Sequence, residues 1–182
     1  MSKIEGSQVR IRSCRFPAAA LGANDDVLAD TALDETENTV VTEFDGQPDV
    51  PRNITVKGNA AAVTGDVVIA GTNVEGVAIT ETIALNAANT VVGNKAFATV
   101  TSITLPPYAS ADTERVRVGL GAKLGLPVRL SRNTVIAAFR DNAREGAAPT
   151  IAISASAIES NTATLNSALN GSDVIVDLYE TQ

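Results

Sequence analysis

The side chains able to do chemistry here are mostly carboxylates and guanidinium groups, because the chain has no histidine and a single cysteine, Cys14. Without histidine there is no imidazole base, no Ser-His or Cys-His nucleophile pair, and none of the commonest metal-ligating ring nitrogens. A lone cysteine excludes an intrachain disulfide and a CxxC metal or redox centre. Paired carboxylates remain for acid–base work, and Asp112 with Glu114 and Asp25 with Asp26 are the candidates by spacing. Both pairs lie among turn-forming residues, which reads as solvated turn acids and not as a dyad. Gly119, Gly121 and Gly125 loosely suggest a phosphate loop, but neither G-x-G-x-x-G opening a helix nor a terminal Gly-Lys-Ser/Thr is present. A crossover where backbones pack closely accounts for them better. Carboxylates are plentiful between Asp25 and Asp49, yet the calcium-loop spacing D-x-[DN]-x-[DN]-G is missing. Asn53-Ile54-Thr55 and Asn170-Gly171-Ser172 match glycosylation sequons, which are coincidental in a chain without the basic-then-apolar layout of a signal peptide. The expectation is no catalytic residue, no cofactor and no metal.

The charged residues suit binding better than catalysis. Net charge is −7 with a pI near 4.6, which disfavours nucleic acid as a partner because phosphate neutralisation needs clustered Lys and Arg. The charge is segregated. Residues 1–20 carry Lys3, Arg10, Arg12 and Arg15 against Glu5. Residues 21–50 then carry Asp25, Asp26, Asp30, Asp34, Glu35, Glu37, Glu43, Asp45 and Asp49 with no base. A basic head of this kind suits a neighbouring subunit's acidic surface. Further along, Arg115, Arg117, Arg129 and Arg132 make a second basic region, with Lys123, Arg140 and Arg144, and an acidic arm from a neighbour is its natural partner. The candidate partner contacts are therefore Lys3, Arg10, Arg12, Arg15, Arg115, Arg117, Arg129 and Arg132. Two solvated segments of opposite sign, and ordinary surface pairing of the arginines, are the competing readings.

These side chains must be carried by strands. From Asn38 onward, short β-branched runs are punctuated by Gly, Asn, Asp and Pro, while helical periodicity is scarce. Strands are expected at 39–44, 53–57, 66–70, 76–85, 90–92, 96–105, 115–120, 128–130, 134–139, 150–156, 163–165 and 173–179. The clearest alternation sets Val77, Ile79, Ile83 and Leu85 against Ala78, Thr80, Thr82 and Ala84. Glu81 interrupts it, so it stands near a bulge or an edge, or pairs with Arg115 or Arg117. Turns are expected at Asp45-Gly46, Lys57-Gly58-Asn59, Gly93-Asn94, Glu145-Gly146 and Asn170-Gly171, the last as a hairpin. Ala155 to Asn166 admits a short helix or strand-turn-strand. The resulting fold class is all-β, an antiparallel β-sandwich or jelly-roll-like domain over 38–182, preceded by an extended N-terminal arm or loop over 1–37. A core with no Trp, two Tyr and four Phe rests on aliphatic residues, which favours completing burial in a homo-oligomer. No apolar run approaches the length of a membrane helix, so no membrane partner is expected and the chain reads as made in the cytoplasm.

The central block carries a resemblance. Pro51-Arg52-Asn53-Ile54-Thr55-Val56, Gly71-Thr72-Asn73 followed by Gly76, and Ile79-Thr80-Glu81-Thr82-Ile83 resemble tailed-phage virion proteins. The likeness continues through Lys95-Ala96-Phe97, Val100-Thr101-Ser102-Ile103-Thr104-Leu105-Pro106 and Lys123-Leu124-Gly125-Leu126-Pro127. A looser echo lies in Leu165-Asn166-Ser167-Ala168-Leu169-Asn170-Gly171. These are strand-and-turn patterns, not catalytic signatures. The resemblance implies a non-enzymatic virion subunit with a capsid decoration, cement or head-fibre role. Its partners would be the major capsid protein or other virion subunits and copies of itself, with a trimer favoured. A tail or baseplate component is the alternative, and a host-glycan-binding module, for which Tyr108 is the best-placed aromatic, comes third.

Overall fold

The computed structural model of the chain describes residues 9–181. They form an all-β structure of three antiparallel sheets. The fourteen strands, in chain order, are β1 Val9–Phe16, β2 Leu28–Ala32, β3 Thr39–Val41, β4 Arg52–Gly58, β5 Asp66–Thr72, β6 Ala78–Ala84, β7 Thr90–Phe97, β8 Thr99–Leu105, β9 Arg115–Gly125, β10 Val135–Arg140, β11 Ala143–Arg144, β12 Thr150–Ala152, β13 Thr162–Thr164 and β14 Val174–Thr181. Sheet A runs β1-β14-β10-β11. Sheet B runs β12-β13-β9-β4-β7, with β2 also on β9. Sheet C runs β3-β8-β5-β6.

Sheets B and C enclose one apolar core, in which Ile54, Val56, Val116 and Val118 of sheet B meet Val67, Ile69, Ile83 and Ile103 of sheet C, with Phe97 beside them. Most of the expected alternation is visible in β6: Ile79, Ile83 and, just past the strand, Leu85 are buried, while Ala78, Thr80, Thr82 and Ala84 are exposed; Val77, expected on the buried face, is 54% exposed. A second core gathers Cys14, Phe16, Val174, Val176 and Leu178 of sheet A against Leu124, Leu126 and Ala163. β9 serves both, sending Val116, Val118 and Leu120 into the first core and Leu124 into the second.

Several boundaries differ from the sequence reading. The span 1–37 expected as an extended arm contributes, within the described residues, two strands bound into sheets: β1 pairs along its length with β14, and β2 pairs with β9. Charge hid β1, whose Cys14 and Phe16 are buried while Ser13 and Arg15 face out. Gly93-Asn94 is no reversal, since β7 passes through it, and the chain bends at Ala98, where it leaves sheet B for sheet C. Asn170-Gly171 is a turn with Gly171 at φ 83°, but it joins sheet B to sheet A and makes no hairpin. The two-residue hairpin of sheet A is Asp141-Asn142, both at positive φ, as the twist of a tight β-turn requires. Residues 128–130 form no strand: Leu130 N–H bonds to the side chain of Asn161 and to the Ser154 carbonyl, after Pro127 has ended β9's run. Ala155 to Asn166 holds one short 3-10 turn, Ile158–Ser160, and β13.

Candidate functional site

The candidate surface is built on sheet edges, and its rigidity comes from the residues beneath it. At the centre of sheet B, Asn53 is fully buried on β4, flanked on both sides by irregular pairing. Asn53 pairs with Ala96 and Thr55 with Val92 on β7, while Arg52 pairs with Leu124 and Ile54 with Leu120 on β9. Gly93–Lys95 and Gly121–Lys123 are therefore bulges, one on each neighbour of β4. The Asn53 side chain bridges them, donating Nδ2–H to the Gly93 carbonyl at 3.1 Å and accepting the Lys123 N–H on Oδ1 at 2.8 Å. Glu81, on the edge strand β6, caps the β7 bulge by accepting N–H bonds from Asn94 at 2.6 Å and Lys95 at 3.2 Å. Its partner is thus a bulge and neither Arg115 nor Arg117.

Arg52 is fully buried beside Asn53. Its Nε–H donates to the Gly121 carbonyl at 2.7 Å, and one terminal nitrogen donates to the Ala20 carbonyl and to Asp49 Oδ1, each at 2.9 Å. The other terminal nitrogen has no hydrogen-bond partner among the described residues. Asp49 also accepts the Ala20 and Val50 N–H groups. Burial alone would raise the Asp49 pKa, but these hydrogen bonds and the Arg52 charge outweigh it and hold it below the usual carboxylate range.

Two of the acids nominated for catalysis, Glu114 and Asp26, serve their own loops, and Asp112 is exposed. Glu114 is buried and accepts N–H bonds from Ala109, Ser110 and Ala111, which folds the loop before β9 around it. Asp26 receives the Ala23 N–H, while Asp25 is exposed. Gly119 and Gly121 mark close packing, as expected. A Cβ on Gly119 would stand 1.9 Å from the Ala23 carbonyl oxygen, and one on Gly121 2.3 Å from the Asn53 side chain. Asn53 is buried within β4, so it is not an acceptor for a glycan.

The expected contact residues divide. Lys3 lies outside the described residues. Arg15 is paired with Asp173, Arg117 makes two bonds to Asp30 at 2.9 and 2.7 Å, and Arg129 makes two to Glu75 at 2.7 and 2.6 Å. The match foreseen between Arg117 and an acidic arm thus occurs within one chain, between β9 and β2. Hydrogen bonding by Arg129 holds the Glu75 pKa low, and Arg15 with the Ala18 N–H does the same for Asp173. Arg115 is half-buried at the start of β9. Arg10, Arg12 and Arg132 are exposed: the Arg132 guanidinium sits 5.9 Å over the ring of Tyr179, which pairs with Ile11, while Arg10 and Arg12 alternate with Ile11 and point to the other face of sheet A.

No family model, curated protein or solved structure matches this chain. The surface itself carries the functional argument. The open groove beside β12, about 420 Å³ and lined by Lys123, Thr150, Ile151, Ile153 and Thr162, contains no aromatic ring. Tyr108 packs against the first core. Among the described residues no cluster of His, Cys, Asp and Glu is arranged to hold a metal ion. Glu37 and Glu43, read in the sequence only as part of the acidic stretch, flank the edge strand β3, whose Val40 is exposed.

Proposed function

We propose that this protein is a structural subunit of a tailed-phage virion that decorates the outside of the head, binding the major capsid protein and bridging adjacent capsid subunits as a homo-oligomer. The observation that supports this most directly is the division of its polar groups. Interior groups such as Asn53, Asn161 and Glu114 hold the protein's own backbone, and exposed charge lies mostly in the loops around the sheets and on the outer strands β1, β2 and β11. A rigid body with charged rims is equipped to be gripped by other proteins. The resemblance of its central strands to virion proteins supplies the setting. Many weak contacts distributed over a shell then act at high effective concentration and stabilise the particle.

Antibody labelling of assembled virions, followed by electron microscopy, tests the reading. Label distributed over heads is expected; label confined to tails would replace it with the tail or baseplate alternative. Deleting residues 1–37 is the wrong way to probe an arm, because it removes β1 and β2 and with them Cys14, Phe16, Val27 and Leu28 from the two cores. Charge reversal at Arg10, Arg12 and Arg132 leaves those cores untouched. It is expected to weaken binding to purified heads, with retained binding pointing to a different contact face.

A further inference from the structure

We infer that the groove on the outer face of sheet B binds a hydroxylated carboxylate, the chemistry of an acidic sugar. The groove lies beside β12, has a volume of about 420 Å³ and reaches Asn94 in the β7 bulge. That volume falls within the range of small-molecule sites, roughly 300–1,000 Å³. Register fixes which side chains line it. Leu124 of β9 and Ala163 of β13 are partners that belong to the second core, and Ile151, opposite Ala163 on β12, packs against the same core. Side chains on a strand alternate sides, so Lys123, Thr150, Ala152, Thr162 and Thr164 point the other way, into the groove. Ser160 and Ile153, the latter 45% exposed, complete the lining.

The polar groups gathered here are not used by the fold. Among the described residues, the hydroxyls of Thr150, Ser160, Thr162 and Thr164 make no hydrogen bond, and neither does the side-chain NH2 group of Asn94. Thr162 is the most informative, because the residue is only 2% exposed. Buried hydroxyls are normally bonded, and the partner left to this one must come from the groove. Lys123 Nζ donates to the Gly93 carbonyl at 2.9 Å and to Asn94 Oδ1 at 2.7 Å, which pins the ammonium and leaves its third N–H over.

Charge selects the ligand. The chain carries −7 overall, yet no carboxylate lines this groove. Glu81, which reaches the same bulge, is taken up by the backbone N–H groups of Asn94 and Lys95. An ammonium beside an amide NH2 group suits one carboxylate, and hydroxyls, each able to donate or accept, suit a ligand with hydroxyls of its own. Ala152 and Ile153 offer an aliphatic surface to its C–H groups. With no aromatic ring in the groove, affinity comes from charge and hydroxyl contacts and not from stacking. The site is separate from the capsid contacts of the functional reading and stands or falls without them.

The test is calorimetric titration of the full-length protein with sodium galacturonate. Galactose, which has the hydroxyls without the carboxylate, and sodium acetate, which has the carboxylate without the hydroxyls, are the comparisons. Galacturonate is expected to bind with a Kd of about 1 mM or tighter, and the other two at least tenfold more weakly. Added salt should weaken galacturonate. Thr162→Val keeps the side-chain shape and removes the hydroxyl; it and Lys123→Met should each lower affinity about tenfold, with an unchanged melting temperature in Thr162→Val showing an intact fold. Trigalacturonate binding more tightly than the monomer would identify a polysaccharide chain as the source of the carboxylate, and equal affinity would identify the free acid. No saturable heat with galacturonate, equal binding of galactose, or full affinity in Thr162→Val overturns the proposal.

Discussion

At the scale of single residues, the polar groups that matter most are the ones hidden in sheet B. Asn53 connects two bulges through Gly93 and Lys123. Removing its side chain leaves the Lys123 N–H without its acceptor and the Gly93 carbonyl with the Lys123 Nζ donor alone, and opens a small cavity. Asn53→Ala is expected to cost about 2–4 kcal/mol, since each buried group left unsatisfied costs about 1–3 kcal/mol, measured as a shift in urea midpoint at unchanged slope. An unchanged midpoint would mean that the bulges hold themselves. None of this was legible beforehand. In sequence Asn53 looked like the start of a strand and part of a sequon, and the β-branched pattern of β4 gives no sign of what lies opposite it on two other strands. Glu81 was partly legible: its break in an alternating strand signalled a bulge or an edge, and it stands on an edge strand while capping a bulge one sheet away.

At the scale of elements, alternation and turn chemistry located the strands from β3 onward, apart from the two-residue β11 and an expected strand at 128–130 that does not form, but not their pairing. β6 and β14 were clear because one face of each is buried. β1 and β2 were obscured because the first is rich in arginine and the second bears Asp30, both poor signals for a strand. The glycines of β9 were readable as close packing, though their contacts, Ala23 and Asn24 for Gly119, Asn53 for Gly121, and Pro51 and Ala96 for Gly125, were not. Here a paired substitution separates steric need from backbone freedom. Gly119→Ala forces a methyl group to within 1.9 Å of the Ala23 carbonyl oxygen, and is expected to cost about 2 kcal/mol or more, as overpacking against fixed backbone does. Gly146→Ala meets nothing within 4 Å and has no positive φ. It should be neutral or stabilising by about 0.4–1 kcal/mol through the unfolded chain. Thermal melts of the two variants check both directions, and equal melting temperatures would remove the close approach as an explanation for Gly119.

At the scale of the whole molecule, the all-β class followed from composition and punctuation, whereas the division into two cores did not, because nothing in a run of β-branched residues says which sheet it joins. Acid stability is a property at this scale. Asp34, Asp49, Glu75 and Asp173 all have pKa values held below the usual carboxylate range. A depressed pKa stabilises the fold fully above the unfolded value of roughly 4, and the contribution disappears as pH falls through the folded value. The melting temperature should therefore be flat near neutrality and fall below about pH 4. Asp49→Asn, which strips the counter-charge from buried Arg52, should lower stability at pH 7 and flatten that acid slope. A variant that kept the full slope would assign the loss to other carboxylates.

The shared strand β9 adds a further consequence. Because it lines both cores, with Val116, Val118 and Leu120 in one and Leu124 in the other, loosening this strand disturbs both at once. Opening is cooperative across the body, and a partner that grips sheet A also raises the free energy needed to open sheet C. A load applied at one edge is thus borne by the molecule as a whole.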